Sequence, residues 1–186
     1  MVYASYEAPS PESGTGGTGG FPFDTGRNIA GVRKVKVWTA YGGGFVQGIA
    51  LEFNDDASTS KHVASTSAVL QEFLVPSGEE IIKVLVWGDK ARVQAIQFLA
   101  DGGTVSPRFG VGWAITPIEY SGKTGEECLA GMYGAFSRLD GCDDRTLQSL
   151  RRVGFSFHKI GYLRAVEVSE ARMDQVSVEA EPINCG

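Results

Sequence analysis

Apolar and polar residues alternate along most of this chain, in short runs that end at glycine-rich or acidic turns. Val35–Thr39 and Val46–Phe53 both show this alternation, and Gly42-Gly43-Gly44 separates them. A period of two places successive side chains on opposite faces of a strand, so each run has one face suited to burial. Two such runs joined by a glycine turn predict a β-hairpin.

The middle of the chain repeats this arrangement. After the turn Pro76-Ser77-Gly78, the β-prone run Ile81–Trp87 ends at Gly88-Asp89-Lys90, and Val93–Phe98 follows as another alternating run. No window shows a sustained helical period with caps at both ends, and the one short helical rhythm lies within Arg145–Val153. Many short strands separated by glycine turns predict an all-β sandwich or barrel.

Composition narrows the class of protein. The 186 residues suit one domain with appendages, and 42% hydrophobic residues are enough for a sizeable core. A net charge of -5 without a Lys/Arg cluster argues against nucleic-acid binding. No apolar run approaches the roughly 18 residues of a membrane span, and Met1–Ser13 lacks signal-peptide features. The sequence therefore predicts a cytoplasmic protein without membrane insertion, with release by a non-classical route as the alternative.

Catalytic and metal-binding motifs are missing from the sequence. The chain has three widely spaced cysteines, Cys128, Cys142 and Cys185, and their odd number and wide spacing predict free thiols. The two histidines, His62 and His158, lie in no metal-binding or nucleophile motif. Adjacent carboxylates occur at positions 55–56, 79–80, 126–127 and 143–144. Neighbouring strand residues point to opposite faces, so these doublets do not make an acid/base pair. We expect no enzyme activity, no cofactor and no metal.

A glycine-rich stretch near the start, Gly16–Asp24, has the spacing Gly-Gly-x-Gly-Gly-x-x-Phe-Asp. Composition alone fits a flexible linker equally well, but Pro76–Val84, Val93–Phe98 and the glycine-aromatic-glycine run Leu129–Gly134 follow in order. With this order and spacing the chain resembles the jacalin-related lectins over about residues 16–157. The resemblance implies a β-prism of three four-stranded antiparallel sheets with pseudo-threefold symmetry. It leaves residues 1–15 as a tail and 158–186 as a C-terminal β extension.

The resemblance also implies where a sugar binds. In such lectins the backbone N–H of one glycine, matched here by Gly20, donates a hydrogen bond to the sugar. An Asp in the loop after the glycine-aromatic-glycine strand accepts hydrogen bonds from the sugar hydroxyls. A further loop, matched here by Trp87–Arg92, forms one side of the pocket. The glycans implied are of the mannose or glucose type. The predicted sugar-binding residues are Gly19, Gly20, Gly88, Asp89, Phe136, Ser137, Arg138, Leu139 and Asp140. The structural alternative is that these turns only close one end of the prism.

The sugar-binding carboxylate is where the sequence departs from the lectin pattern. Leu139-Asp140 matches the loop with one residue missing, but the strand expected next begins only at Leu150, and Arg151 takes the place of an Asp. This register predicts a loop insertion over about 136–148, with Asp140, Asp143 or Asp144 as the acid. An arginine has no acceptor at neutral pH. The alternative function is a protein-interaction module that has lost its sugar pocket.

Two more alternating runs, Tyr162–Val168 and Gln175–Ala180, lie in the extension. Two strands cannot stand alone in water, so they must pack on the prism or on another subunit. We predict a homodimer or higher oligomer, with closure of the chain's own domain as the alternative.

Overall fold

The computed structural model describes residues 14–17, 20–59, 62–63, 68–111, 116–122, 126–138 and 147–159. Twelve strands and no helix are present in these ranges, in agreement with the predicted all-β class. The strands are β1 (Thr15–Gly16), β2 (Phe21–Asp24), β3 (Val32–Thr39), β4 (Val46–Phe53), β5 (His62–Val63), β6 (Val69–Leu74), β7 (Ile81–Gly88), β8 (Val93–Ala100), β9 (Phe109–Gly110), β10 (Ile118–Ser121), β11 (Glu127–Arg138) and β12 (Leu147–Lys159).

The strands form three antiparallel sheets of four strands each, in the orders β1-β12-β11-β2, β10-β7-β8-β9 and β5-β4-β3-β6. Each sheet has a long hairpin of consecutive strands at its centre and two shorter strands at its edges. The predicted β-prism is therefore confirmed. The two hairpins predicted from alternation are β3–β4 and β7–β8, paired from Val32 to Phe53 and from Ile81 to Ala100.

The core lies where the inner faces of the three sheets meet. Phe98 of β8 lies 6.3 Å from Phe109 of β9 and 6.2 Å from Phe155 of β12, measured between ring centroids. Tyr120 of β10 packs edge-on against the same Phe155 ring at 5.7 Å. Aromatic contacts at these distances add to the stabilisation from apolar burial, so this cluster ties two of the sheets together.

The predicted loop insertion over about 136–148 was wrong at both of its ends. β11 continues through Arg138 and β12 begins at Leu147, so Phe136, Ser137 and Arg138 belong to a strand and not to a loop insertion. The short helical rhythm in Arg145–Val153 is likewise overridden from Leu147 onward by pairing with β11. The predicted tail at 1–15 lies outside the described residues except for residues 14 and 15, and the extension lies outside them from residue 160.

The β3–β4 turn, the β7–β8 turn, the end of β11 and the start of β12 share one end of the prism, which we call the hairpin end. The opposite end carries the starts of β3, β7 and β11. The described part of the chain contains no helix with the length and apolar character that crossing a membrane requires.

Candidate functional site at the hairpin end

The glycine-rich segment begins at the hairpin end as an edge strand. Thr15 and Gly16 of β1 pair with Val153 and Arg152 of β12, and the Gly17 N–H donates to the Arg151 carbonyl at 2.8 Å. β2 lies on the other edge of the same sheet. The segment therefore passes from one edge to the other beside the β11–β12 hairpin.

Gly20 occupies a position that only glycine fits. Its φ is +97°, and an added Cβ would lie 2.5 Å from the carbonyl oxygen of Phe136. A backbone with φ > 0 in such close contact excludes other residues. Gly19, the neighbouring predicted site residue, lies outside the described residues.

The glycine segment contacts the loop between β7 and β8. A Cβ on Gly17 would lie 2.7 Å from the Lys90 carbonyl oxygen, and one on Gly88 would lie 3.0 Å from the Thr15 side chain. Thr15 is held in turn by Tyr120, whose hydroxyl lies 2.7 Å from the Thr15 hydroxyl. Burial raises the pKa of Tyr120 although the Thr15 hydrogen bond lowers it. The glycine segment and loop 88–92 therefore lie against each other at the hairpin end.

Asp89 holds this loop in shape. Its Oδ1 accepts the backbone N–H groups of Ala91 at 2.6 Å and Arg92 at 2.9 Å, and its Oδ2 accepts the Gln94 side-chain amide at 2.5 Å. Burial pushes the pKa of Asp89 up, but these hydrogen bonds outweigh it and the pKa is lowered. Both carboxylate oxygens are engaged, one by the loop backbone and one by Gln94 of β8, so these contacts give Asp89 a supporting role beside the site.

Arginine–aromatic contacts anchor the loops around this end. The Arg92 guanidinium lies 4.3 Å from the centre of the Phe45 ring, which connects loop 88–92 with the β3–β4 turn. The Arg108 guanidinium lies 4.1 Å from the Trp87 ring. Such cation–π contacts add stability where a side chain is partly removed from water.

The ends of β11 and β12 carry the other predicted site residues. Phe136 is 2% exposed and packs 4.9 Å from Phe23, so it supports the site from within the core and does not line its surface. The Ser137 and Ser149 hydroxyls lie 2.6 Å apart across the hairpin. Of Arg138 only the backbone is described, and Leu139, Asp140 and the alternative acids Asp143 and Asp144 lie outside the described residues.

Two features of the site were missed from the sequence. Arg152 is 5% exposed, and its Nη1 donates to the Gly17 carbonyl oxygen at 3.3 Å, so a buried cation holds the glycine segment against β12. The sequence signal for this role is the doublet Arg151-Arg152 between the apolar residues Leu150 and Val153. Phe21 follows Gly20 and is 46% exposed. Phe23 packs inward on Phe136. Because side chains two residues apart lie on the same face of a strand, the Phe21 ring lies on the same face of β2 as Phe23, nearer the hairpin end.

The free thiol and metal predictions are tested only in part. Cys128 is free and buried, and burial raises its pKa to about 12, so it is a poor nucleophile. Cys142 and Cys185 lie outside the described residues. Where the chain is described, no group of three His, Cys, Asp or Glu side chains comes close enough together to hold a metal ion.

Comparison with known proteins defines the class. Residues 13–141 match the family model for the jacalin-like lectin domain, and the chain therefore belongs to the jacalin-like lectin family. No curated protein matches the sequence.

Several solved structures share the fold at low identity. The mannose-binding lectin from Champedak is 16% identical with a TM-score of 0.60, covering 78% of this chain and 94% of that one. Artocarpin complexed with Me-α-mannose is 17% identical with a TM-score of 0.59 and the same coverage. The lectin MPA complexed with T-antigen disaccharide is 14% identical with a TM-score of 0.57, covering 74% and 98%.

Proposed function

We propose that this protein is a non-catalytic lectin that binds mannose- or glucose-type glycans at the hairpin end. The observation that carries the proposal is the meeting of the Gly20 backbone, loop 88–92 and the ends of β11 and β12 at one end of a jacalin-like lectin domain. Similar structures include a mannose-binding lectin and artocarpin with Me-α-mannose, which favours this sugar class. The T-antigen complex of MPA shows that lectins of this fold differ in specificity.

The proposed site supplies the three kinds of contact that a sugar ring needs. The Gly20 N–H donates to a ring hydroxyl, the half-exposed Phe21 ring covers the C–H face, and a carboxylate from the β11–β12 connection accepts from two hydroxyls. Asp140 is the proposed carboxylate, with Asp143 and Asp144 as the alternatives. Asp89 and Arg152 hold the loop and the glycine segment in place beneath the sugar.

A glycan array tests this function, followed by retention on mannose-agarose with free sugar as competitor. Removing a charged acceptor from a desolvated hydrogen bond costs about 1.5 to 3 kcal/mol, or roughly ten- to a hundredfold in affinity. Asp140→Asn is therefore expected to abolish detectable binding, while Asp143→Asn and Asp144→Asn serve as matched controls. Loss of binding in one of the controls, with normal binding by Asp140→Asn, would move the carboxylate to that position.

The second candidate is a protein-interaction module without a sugar pocket. Arg151 favours it, because this arginine lies in β12 beside Gly17, where the lectin pattern has an aspartate. An arginine supplies donors only and cannot replace the acceptor. Failure of the wild-type protein to retain any glycan would support this candidate.

The assembly proposed with either function is a homodimer or higher oligomer, as the sequence runs beyond β12 indicate. The proposed location is cytoplasmic, which rests on the sequence alone.

A further inference from the structure

The longest strand edge in the described part of the fold belongs to β6 (Val69–Leu74). In the sheet order β5-β4-β3-β6 this strand lies at one end, and β3 is the strand that it pairs with. It has six residues, whereas the other edge strands described have two or four. β6 lies outside the proposed sugar site, so the lectin function does not account for it.

β6 lacks the features that usually keep an edge strand from pairing with another chain. Such features are short length, proline, charged side chains and bulges. β1, β5 and β9 are two residues long, β2 contains Pro22, and β10 carries Glu119 in an ion pair with Lys83. β6 contains neither proline nor lysine, and its pairing with β3 has no register shift. Its outer edge therefore suits the addition of a further strand.

The backbone of β6 presents alternate residues to this edge. The Val75 N–H donates to the Arg33 carbonyl at 2.9 Å, so the ladder with β3 uses Val75 and every second residue before it. The residues between them, Leu70, Glu72 and Leu74, direct their N–H and C=O groups away from β3. In a sheet such groups bond to the next strand, so these three residues define where a partner strand would attach.

The side chains along this edge also suit contact with another strand. Leu74 is 67% exposed and Leu70 is 46% exposed, and both lie on the same face of β6 as Glu72. The Glu72 carboxylate lies 3.7 Å from Lys34 Nζ and 3.9 Å from Lys36 Nζ of β3, so its charge is balanced within the sheet. β6 thus combines an outward-facing backbone with exposed apolar side chains, the combination that favours strand addition.

A second copy of β6 complements this edge. A two-fold axis perpendicular to the sheet pairs the strands antiparallel, and two symmetric registers keep most of the strand paired, centred on Gln71 or on Glu72. The register centred on Glu72 places two carboxylates opposite each other, which is unfavourable. The register centred on Gln71 places the exposed Val69 opposite Phe73 of the second copy. It also places the two Gln71 amides opposite each other, where each can donate to and accept from the other.

We propose that β6 is a docking strand for a second copy of this chain, paired antiparallel with Gln71 facing Gln71 across a two-fold axis. In this register Leu70 of each copy exchanges backbone hydrogen bonds with Glu72 of the other, about four bonds in all. Leu74 lies diagonally next to Leu70 of the second copy, at a distance that allows apolar contact. The pairing satisfies the outward-facing backbone groups and covers part of the exposed apolar surface.

The proposed contact is small and therefore weak. One pair of short strands buries less than the roughly 1,200 Å² at which stable interfaces begin. We expect a Kd on the order of 100 μM, so the pair is largely dissociated at low micromolar concentration. It is distinct from the assembly predicted for the sequence runs beyond β12.

The antiparallel pairing determines how the two copies point. Val69, at the start of β6, pairs with Thr39 at the end of β3, so β6 begins at the hairpin end. Because the second β6 runs in the opposite direction, the two hairpin ends point in opposite directions. This arrangement would bridge two glycan-bearing surfaces, a consequence that rests on the proposed sugar site, whereas the pairing itself does not.

Sedimentation equilibrium of the full-length chain between about 5 and 500 μM tests the pairing without any sugar. All proteins carry Val176→Asp, which is expected to remove the assembly predicted for Gln175–Ala180, and this parent should change from monomer to dimer across the range. Gln71→Lys should weaken the dimer at least tenfold, because two like charges meet at the axis. The matched control is Ser121→Lys, which adds the same charge to the exposed edge strand β10 and should pair like the parent.

A charge exchange tests the register. Gln71→Glu alone should also stay monomeric, whereas an equimolar mixture of Gln71→Lys and Gln71→Glu should form the dimer again, because opposite charges then face each other. Recovery in the mixture also shows that both variants are folded.

Several outcomes would overturn the proposal. They are a parent that remains monomeric at about 500 μM, and pairing by Gln71→Lys as strong as that of the parent. A mixture that does not recover the dimer would refute the contact of Gln71 with Gln71. Because no sugar is present, failure of the lectin proposal would leave these results intact.

The bridging consequence has its own test. Mannose-coated beads that bind both proteins should be aggregated by the parent at about 100 μM and not by Gln71→Lys. Equal aggregation by the two proteins would contradict bridging through β6.

Discussion

Asp89 allows the most direct test of how loop 88–92 is built. Asp89→Ala removes an acceptor that holds the Ala91 and Arg92 N–H groups and the Gln94 amide. Hydrogen bonds to a charged group contribute about 1.5 to 3 kcal/mol. Water partly replaces them because the loop is half-buried, so we expect a loss of about 2 to 3 kcal/mol in unfolding free energy. A domain of this size loses roughly 2 to 4 °C per kcal/mol, so the Tm should fall by about 4 to 12 °C.

The pH dependence of this effect has a defined sign. The pKa of Asp89 is lowered in the folded protein from the ordinary value of 3.8, so the folded state prefers the ionised carboxylate. The stabilisation is complete above the unfolded-state pKa and is lost as the pH falls through the folded-state pKa. The stability difference between wild type and Asp89→Ala should therefore be constant from pH 7 to 5 and shrink below about pH 4.

Urea denaturation and thermal melts measure these differences. Glu119→Ala is the matched control, because Glu119 of β10 forms an exposed ion pair with Lys83 of β7 at 2.9 Å in the same sheet, away from loop 88–92, and such pairs contribute at most about 1 kcal/mol. If Asp89→Ala melts within 1 °C of wild type, the three hydrogen bonds do not support the loop and the supporting role of Asp89 is refuted.

Three further predictions concern the core, the site surface and assembly. Phe98→Ala should lower the unfolding free energy by about 3 to 5 kcal/mol in urea titrations, because it empties the aromatic cluster between two sheets; a loss under 1 kcal/mol would contradict this packing. Phe21→Ala should weaken glycan binding by about two- to tenfold at nearly unchanged Tm, with Phe21→Trp retaining affinity; equal affinity of Phe21→Ala and wild type would remove Phe21 from the site. Sedimentation at micromolar concentration should show at least a dimer, and Val176→Asp should dissociate it; a wild-type monomer of 19.9 kDa would refute the assembly.

The central hairpins of two sheets were predictable because their sequences alternate regularly. Val46–Phe53 is β4 residue for residue, and Ile81–Trp87 lies within β7. β11 was harder to delimit, because glycines interrupt its alternation and register shifts occur near Gly131, Phe136 and Arg138. A shift of one residue reverses the faces of the residues that follow, so periodicity failed where the sheet is irregular.

The candidate site was predictable in outline only. The glycine spacing identified Gly20, whose positive φ and contact with the Phe136 carbonyl explain the need for glycine. The roles of Asp89 and Arg152 depend on partners brought together by the fold, namely the Gln94 side chain and the Gly17 carbonyl. A single sequence carries no signal for such pairs beyond a charged residue next to apolar ones.

The most direct test of the lectin proposal is an NMR titration of the ¹⁵N-labelled full-length chain with methyl α-mannoside. We predict saturable amide shifts at Gly20, Phe21 and residues 88–92, with none at residues 75–80 at the opposite end. Asp140→Asn should abolish these shifts while its spectrum remains that of the folded protein. Sugar binding at the hairpin end would be contradicted if no sugar that binds the protein on the glycan array caused amide shifts there. Shifts confined to the opposite end would contradict it as well.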